Sequence, residues 1–193
     1  MQARLNLAKA SPDAYKAVVA LENYVQTSGL ERRFVHLIKL RASQINGCAY
    51  CVDMHVKESR HDGLSEQWIN LMYVWRESPV YDARERALLG WVDAVTKIAE
   101  TGAPDADFEV LKQHFSEEEI VKITVAIGTI NVWNRLAVGF RSQHPVDKTP
   151  GLIRTVQLPP EPALPARPPQ PLSSPGHSRH DAPPRQDEPA TFP

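Results

Sequence analysis

The sequence predicts an all-α domain followed by a Pro-rich tail. Three observations carry this. Apolar residues recur at three- and four-residue spacing between residues 12 and 138, and no segment alternates as a half-buried strand would. Capping residues and Gly stops punctuate the chain at helix-length intervals. Fourteen of the 17 prolines lie at or after Pro145, whereas Trp68, Trp75, Trp91 and Trp133 all precede it. A core can therefore form before that point, and little can be buried after it. The expected organisation is a compact domain of six to seven helices over 1–145, then a disordered tail over 146–193.

Ser11-Pro12 opens the first helix, with Ser11 as cap, and Ser28-Gly29 ends it after Tyr15, Val18, Val19, Leu21 and Val25. The second begins near Glu31, with Phe34, Leu37, Ile38, Ala42 and Ile45 as its inner stripe, and stops at Asn46-Gly47. A third opens at Cys48 and runs to Arg60. Ser65 with Trp68 starts a short fourth, which Ser78-Pro79 interrupts. Asp82 with Glu85 forms a capping-box pattern before Ala87, Leu88, Trp91, Ala94 and Ile98. Phe108, Leu111 and Phe115 mark a shorter helix. Ser116 followed by Glu117, Glu118 and Glu119 then starts the last, about 117–138. Its apolar residues exceed one stripe, which suits a central position or a subunit interface.

The formal net charge of −1 gives no general attraction to nucleic acid or anionic membrane. The first residues lack an apolar run of secretory length, and no later stretch is expected to span a bilayer. A cytoplasmic location is the resulting expectation. The tail segment Leu164–Pro171 has the composition of an SH3-type ligand, although such tails are more often simply solvated.

Both cysteines sit in one CxxC, Cys48 and Cys51, with His55 four residues on. On a helix these three span a sector of roughly 60°. In a reducing compartment such a pair is redox-active or metal-binding. The helix N-terminus and a nearby imidazole both favour thiolate, which is the nucleophile. The dipole favours Cys48 and proximity to His55 favours Cys51, so the order of attack stays open. A thiolate oxidised to sulfenic acid would condense with its neighbour, and an external dithiol would reopen the disulfide, with no bound cofactor.

The run from Leu37 through Ser43-Gln-Ile-Asn-Gly-Cys48-Ala-Tyr-Cys51 to His55 resembles the core motif of alkylhydroperoxidase (AhpD)-like proteins of the carboxymuconolactone decarboxylase superfamily. Ile130-Asn-Val-Trp-Asn-Arg135 is similar to that family's closing helix. The resemblance covers about residues 1–145. It implies an all-helical protomer assembling into homo-trimers or hexamers, and reduction of hydroperoxides by a disulfide-cycling enzyme with an external dithiol reductant. It also implies that Cys51 becomes the sulfenic acid, Cys48 resolves it and His55 relays the proton. The family pattern has Glu twelve residues before the first cysteine, where this chain has His36, and His between the cysteines, where it has Tyr50. His36 thus joins the candidate catalytic set, with a surface histidine as the competing reading.

Two other functions compete. His36, Cys48, Cys51 and His55 add up to a Cys2His2 ligand set, which would make the domain a non-enzymatic redox- or zinc-responsive module. A carboxymuconolactone decarboxylase-type activity is the other, and that chemistry needs no CxxC. Around the motif, Arg41 is expected in a salt bridge rather than as a substrate anchor, and Glu58 either orients His55 from one turn on or, as the commoner outcome, is solvated. Trp133, Asn134 and Arg135 either line the pocket or pack and hydrogen-bond within the core or across an interface, the second being the favoured expectation.

Overall fold

The computed structural model describes residues 2–146, so the expected tail lies outside the described residues except for Val146. Nine α-helices and no strand occur among the described residues. They are α1 (Leu7–Ala10), α2 (Pro12–Thr27), α3 (Arg32–Ile45), α4 (Ala49–His61), α5 (Glu66–Leu71), α6 (Ala83–Thr96), α7 (Ile98–Thr101), α8 (Asp105–Lys112) and α9 (Glu117–Phe140). A 3-10 turn, Met72–Val74, continues α5. The two helices beyond the expected number are single turns. Asn6 caps α1, and α7 is split from α6 where Lys97 leaves helical geometry at φ −103°, ψ 33°.

Most ends follow local chemistry. Ser65 accepts from the Trp68 amide, and Asp82–Glu85 and Ser116–Glu119 form complete capping boxes. Ser11 departs from its expected role, because at φ −147°, ψ 85° its side chain makes no capping bond and Pro12 alone marks the start of α2.

The centre of the domain is α3, packed against α4, α6 and α9, while α2 lies along α9 and α8 along α6. Ten consecutive residues of α3, Phe34 to Ser43, are buried. An inner stripe was expected, but helices cover its polar side as well, so His36, Lys39 and Arg41 each need an internal partner. Arg41 takes the expected salt bridge, forking onto Asp93 at 2.6 and 3.0 Å. His36 is not on the surface; its Nε2 lies 2.6 Å from Asp62, which also receives Arg32 at 2.8 Å.

The Arg32 guanidinium and His36 hold the Asp62 carboxyl down at about 2, against an ordinary 3.8. A carboxylate depressed in this way stabilises the fold above its unfolded value and stops doing so as pH falls through its folded one. Wild-type protein should therefore lose more thermal stability between pH 4 and 2 than Asp62→Asn, measured as Tm against pH. Parallel curves would contradict this.

The longest helix corrects one expectation. By length and composition α9 is long and apolar enough to cross a membrane. In this fold it packs on α2 and α3, burying Ile120, Ile123, Ile127 and Ile130, while Val121, Val132 and Val138 stay exposed. The apolar stripe of α2 is also largely uncovered: Val25 is its one buried residue, and Tyr15, Leu21 and Tyr24 are exposed.

Candidate active site

The chain reverses between α3 and α4 in three residues. Gly47 adopts φ +63°, a left-handed conformation that costs a side-chain-bearing residue about 1 kcal/mol or more. The Cys48 amide then closes onto Ser43 O at 3.0 Å. The turn is fastened to α9 through side chains. Asn46 Nδ2 donates to Asn131 Oδ1 at 3.0 Å and to Asn134 Oδ1 at 2.8 Å, and Asn134 Nδ2 donates to Ser43 Oγ at 3.0 Å. Asn134 thus serves the core, as expected, and Arg135 braces the same network by donating to Asn131 at 2.9 Å. Asn134→Ala, which strands the buried Ser43 hydroxyl of α3 and takes one of two acceptors from Asn46, should destabilise the domain by about 2 kcal/mol. A urea midpoint unchanged from wild type would contradict that.

Cys48 is the N-cap of α4, and its Sγ accepts from the Cys51 amide at 3.3 Å. The two cysteines are joined as a disulfide, with Cα atoms 5.3 Å apart. Both are buried, but they are not equivalent. Cys51 lines a cavity of about 850 Å³, whereas Cys48 is not among its lining residues. Helix α4 also contributes His55 and Glu58 to this wall. Glu22 and Gln26 come from α2, Lys39 from α3, Trp133 and Phe140 from α9, and Leu5 and Leu7 from the N-terminal segment. Arg4 holds that segment to the end of α9, donating to Phe140 O and Gly139 O at 2.9 Å each. Trp133 also meets Tyr15 edge-to-face at 6.1 Å.

One turn beyond Cys51, His55 Nδ1 lies 2.8 Å from Glu58 Oε2. That hydrogen bond holds the Glu58 carboxyl below its ordinary range, against partial burial. A carboxylate only accepts, so Nδ1 carries the proton and Nε2 is left as the exchanging atom. Nε2 is buried and has no hydrogen-bond partner among the described residues. His55 lines the cavity, and a buried imidazole nitrogen without a partner is a candidate to take up a thiol proton. Glu58 is therefore not simply solvated: it is the carboxylate behind His55, while His36 pairs with Asp62 and does not line the cavity.

Lys39 and Glu22 complete the polar end. Lys39 is ion-paired with Glu22 Oε1, and Gln26 Nε2 donates to the same oxygen at 2.6 Å. Burial opposes the Glu22 charge, but hydrogen bonds from Lys39, Gln26 and Trp133 outweigh it and hold this carboxyl below its usual range. Sequence reasoning missed both residues as site members. Lys39 does stand three residues after His36 on one helix side, but nothing local pairs it with α2. No group of three or more His, Cys, Asp or Glu is placed to hold a metal ion among the described residues. The two histidines of the zinc alternative turn to different carboxylates, and its two sulfurs are bonded to each other.

Comparison with known proteins places this geometry. The model of the carboxymuconolactone decarboxylase family matches residues 12–94, the span from α2 into α6. The uncharacterized protein YdfG of Bacillus subtilis (strain 168) is 34% identical over 138 residues, which is 72% of this chain and 94% of that protein. The chain belongs to the carboxymuconolactone decarboxylase family. Its fold is AhpD-like within that family. A crystal structure of ATU0492 from Agrobacterium tumefaciens is 82% identical, has a TM-score of 0.75 and covers 76% of this chain and 100% of that one. It is described as a protein of unknown function, provisionally the antioxidant defence protein AhpD. The debrominase Bmp8 shares the family fold at 20% identity and TM-score 0.64, over 70% of this chain and 73% of its own.

Proposed function

We propose that this chain is a thiol-dependent peroxidase that reduces organic hydroperoxides through the Cys48–Cys51 disulfide, with His55 as proton relay. The observation that carries the reading is that Cys51 and His55 line one cavity, with the imidazole Nε2 left without a partner among the described residues. His55 takes the Cys51 proton, and the thiolate attacks the terminal oxygen of the peroxide. Cys48 then condenses with the sulfenic acid, releasing water.

Placement at the N-cap suits Cys48 to its part. When an external dithiol attacks Cys51, the departing Cys48 thiolate is received by the Cys51 amide and the helix N-terminus. In this reading Glu58 orients His55, and His36 acts on the site only through its effect on Asp62 and Glu58. The uncovered apolar residues of α2 and α9 support assembly into a homo-oligomer. A cytoplasmic setting would supply the reductant.

The test is catalytic consumption of cumene hydroperoxide by the protein with dithiothreitol as reductant. Several turnovers per chain support the proposal. Consumption no faster than with dithiothreitol alone sinks it. Decarboxylation of a carboxymuconolactone that survives loss of both cysteines would favour the decarboxylase reading instead.

A further inference from the structure

We propose that Lys39 is a further catalytic residue of this site. Its ammonium donates to the inner oxygen of the bound hydroperoxide and holds the negative charge that builds there as the O–O bond breaks. The inference rests on the peroxidase reading above.

A lysine is seldom buried unless it is paired. Lys39 is 4% exposed, and its ammonium donates to Glu22 Oε1. An ammonium has three donors, so this pairing leaves donor capacity. A purely structural ion pair between α2 and α3 could lie anywhere along their contact. This one forms part of the wall that also holds Cys51 and His55. Glu22, itself held by Gln26 at 2.6 Å, fixes the ammonium from one side. The Lys39 charge also acts on Glu58 of α4, helping to hold that carboxyl down. The cation is thus fixed before substrate arrives and needs no reorganisation during reaction.

The chemistry has a place for it. His55 Nε2 accepts the Cys51 thiol proton. The Cys51 sulfur then forms a bond to the terminal oxygen, the O–O bond breaks, and the electron pair leaves on the inner oxygen as an alkoxide. Sulfur is oxidised to sulfenic acid by two electrons, the peroxide is reduced, and the proton on His55 passes to the alkoxide to give the alcohol. An alkoxide is strongly basic and a poor leaving group. A fixed ammonium beside the inner oxygen stabilises the charge that the relay neutralises only afterwards.

The test compares two oxidants that differ in the basicity of what departs. Single-turnover oxidation of reduced protein is followed with tert-butyl hydroperoxide, which releases a strongly basic alkoxide, and with peracetic acid, which releases weakly basic acetate. Lys39→Gln should slow the first by about 100-fold or more, as loss of one oxyanion donor does. It should slow the second by less than about threefold, and Lys39→Arg should recover most of the first rate. Because Lys39→Gln leaves Glu22 without its cation, the double variant Glu22→Gln/Lys39→Gln is measured alongside and should show the same selective loss. Equal losses with both oxidants, or a double variant that regains the tert-butyl hydroperoxide rate, would overturn the assignment of Lys39. Wild-type protein that reacts with neither oxidant would instead sink the peroxidase reading, and this inference with it.

Discussion

Cys51→Ser is expected to abolish hydroperoxide turnover, because Cys51 is the sulfur on the cavity wall and Cys48 is not. Cys48→Ser should behave differently. With Cys51 intact the first oxidation proceeds, so the variant should consume one equivalent of hydroperoxide per chain. It should then carry a sulfenic acid that a dimedone adduct reveals by mass spectrometry. The adduct belongs on Cys51. Turnover surviving in Cys51→Ser, with Cys48 labelled, would reverse the order of attack and favour the helix dipole over access to the cavity.

The second large effect concerns His55. His55→Gln keeps a polar side chain of similar reach but removes the base, and general acid–base catalysis is worth about 10²- to 10⁴-fold. The hydroperoxide rate at pH 7 should fall by that order. It should recover as pH rises toward about 8.5, where an ordinary thiol ionises without help. Glu58→Gln should produce a smaller loss of the same shape, since it leaves the imidazole in place but no longer fixes which nitrogen carries the proton. A His55→Gln rate within threefold of wild type at pH 7 would remove His55 from the relay.

Which features of this site could be read in advance depended on how local they are. The caps at Ser65, Asp82 and Ser116 are settled within four residues, and the reversal at Asn46-Gly47 needs a residue that tolerates positive φ. The shared face of Cys48, Cys51 and His55 follows from helical spacing alone. Burial of the polar side of α3 does not. Lys39, His36 and Arg41 stand at separate positions around α3 and look solvated until Glu22 of α2, Asp62 at the end of α4 and Asp93 of α6 reach them. The pairing of Glu58 with His55 lies between these cases. Its three-residue spacing is visible in the sequence, but solvent competes for a carboxylate unless the partner is buried, and only packing buries His55. The carboxylate paired with His55 comes from α4 itself, one turn past the histidine.

The central claim is that this pair of thiols is the electron source for hydroperoxide reduction. It is tested most directly by titrating fully reduced protein, without added thiol, with tert-butyl hydroperoxide and counting the remaining thiols by alkylation and mass spectrometry. One Cys48–Cys51 disulfide formed, and two thiols lost, per equivalent of hydroperoxide is the result this mechanism predicts. Both cysteines still alkylated after excess hydroperoxide would contradict it.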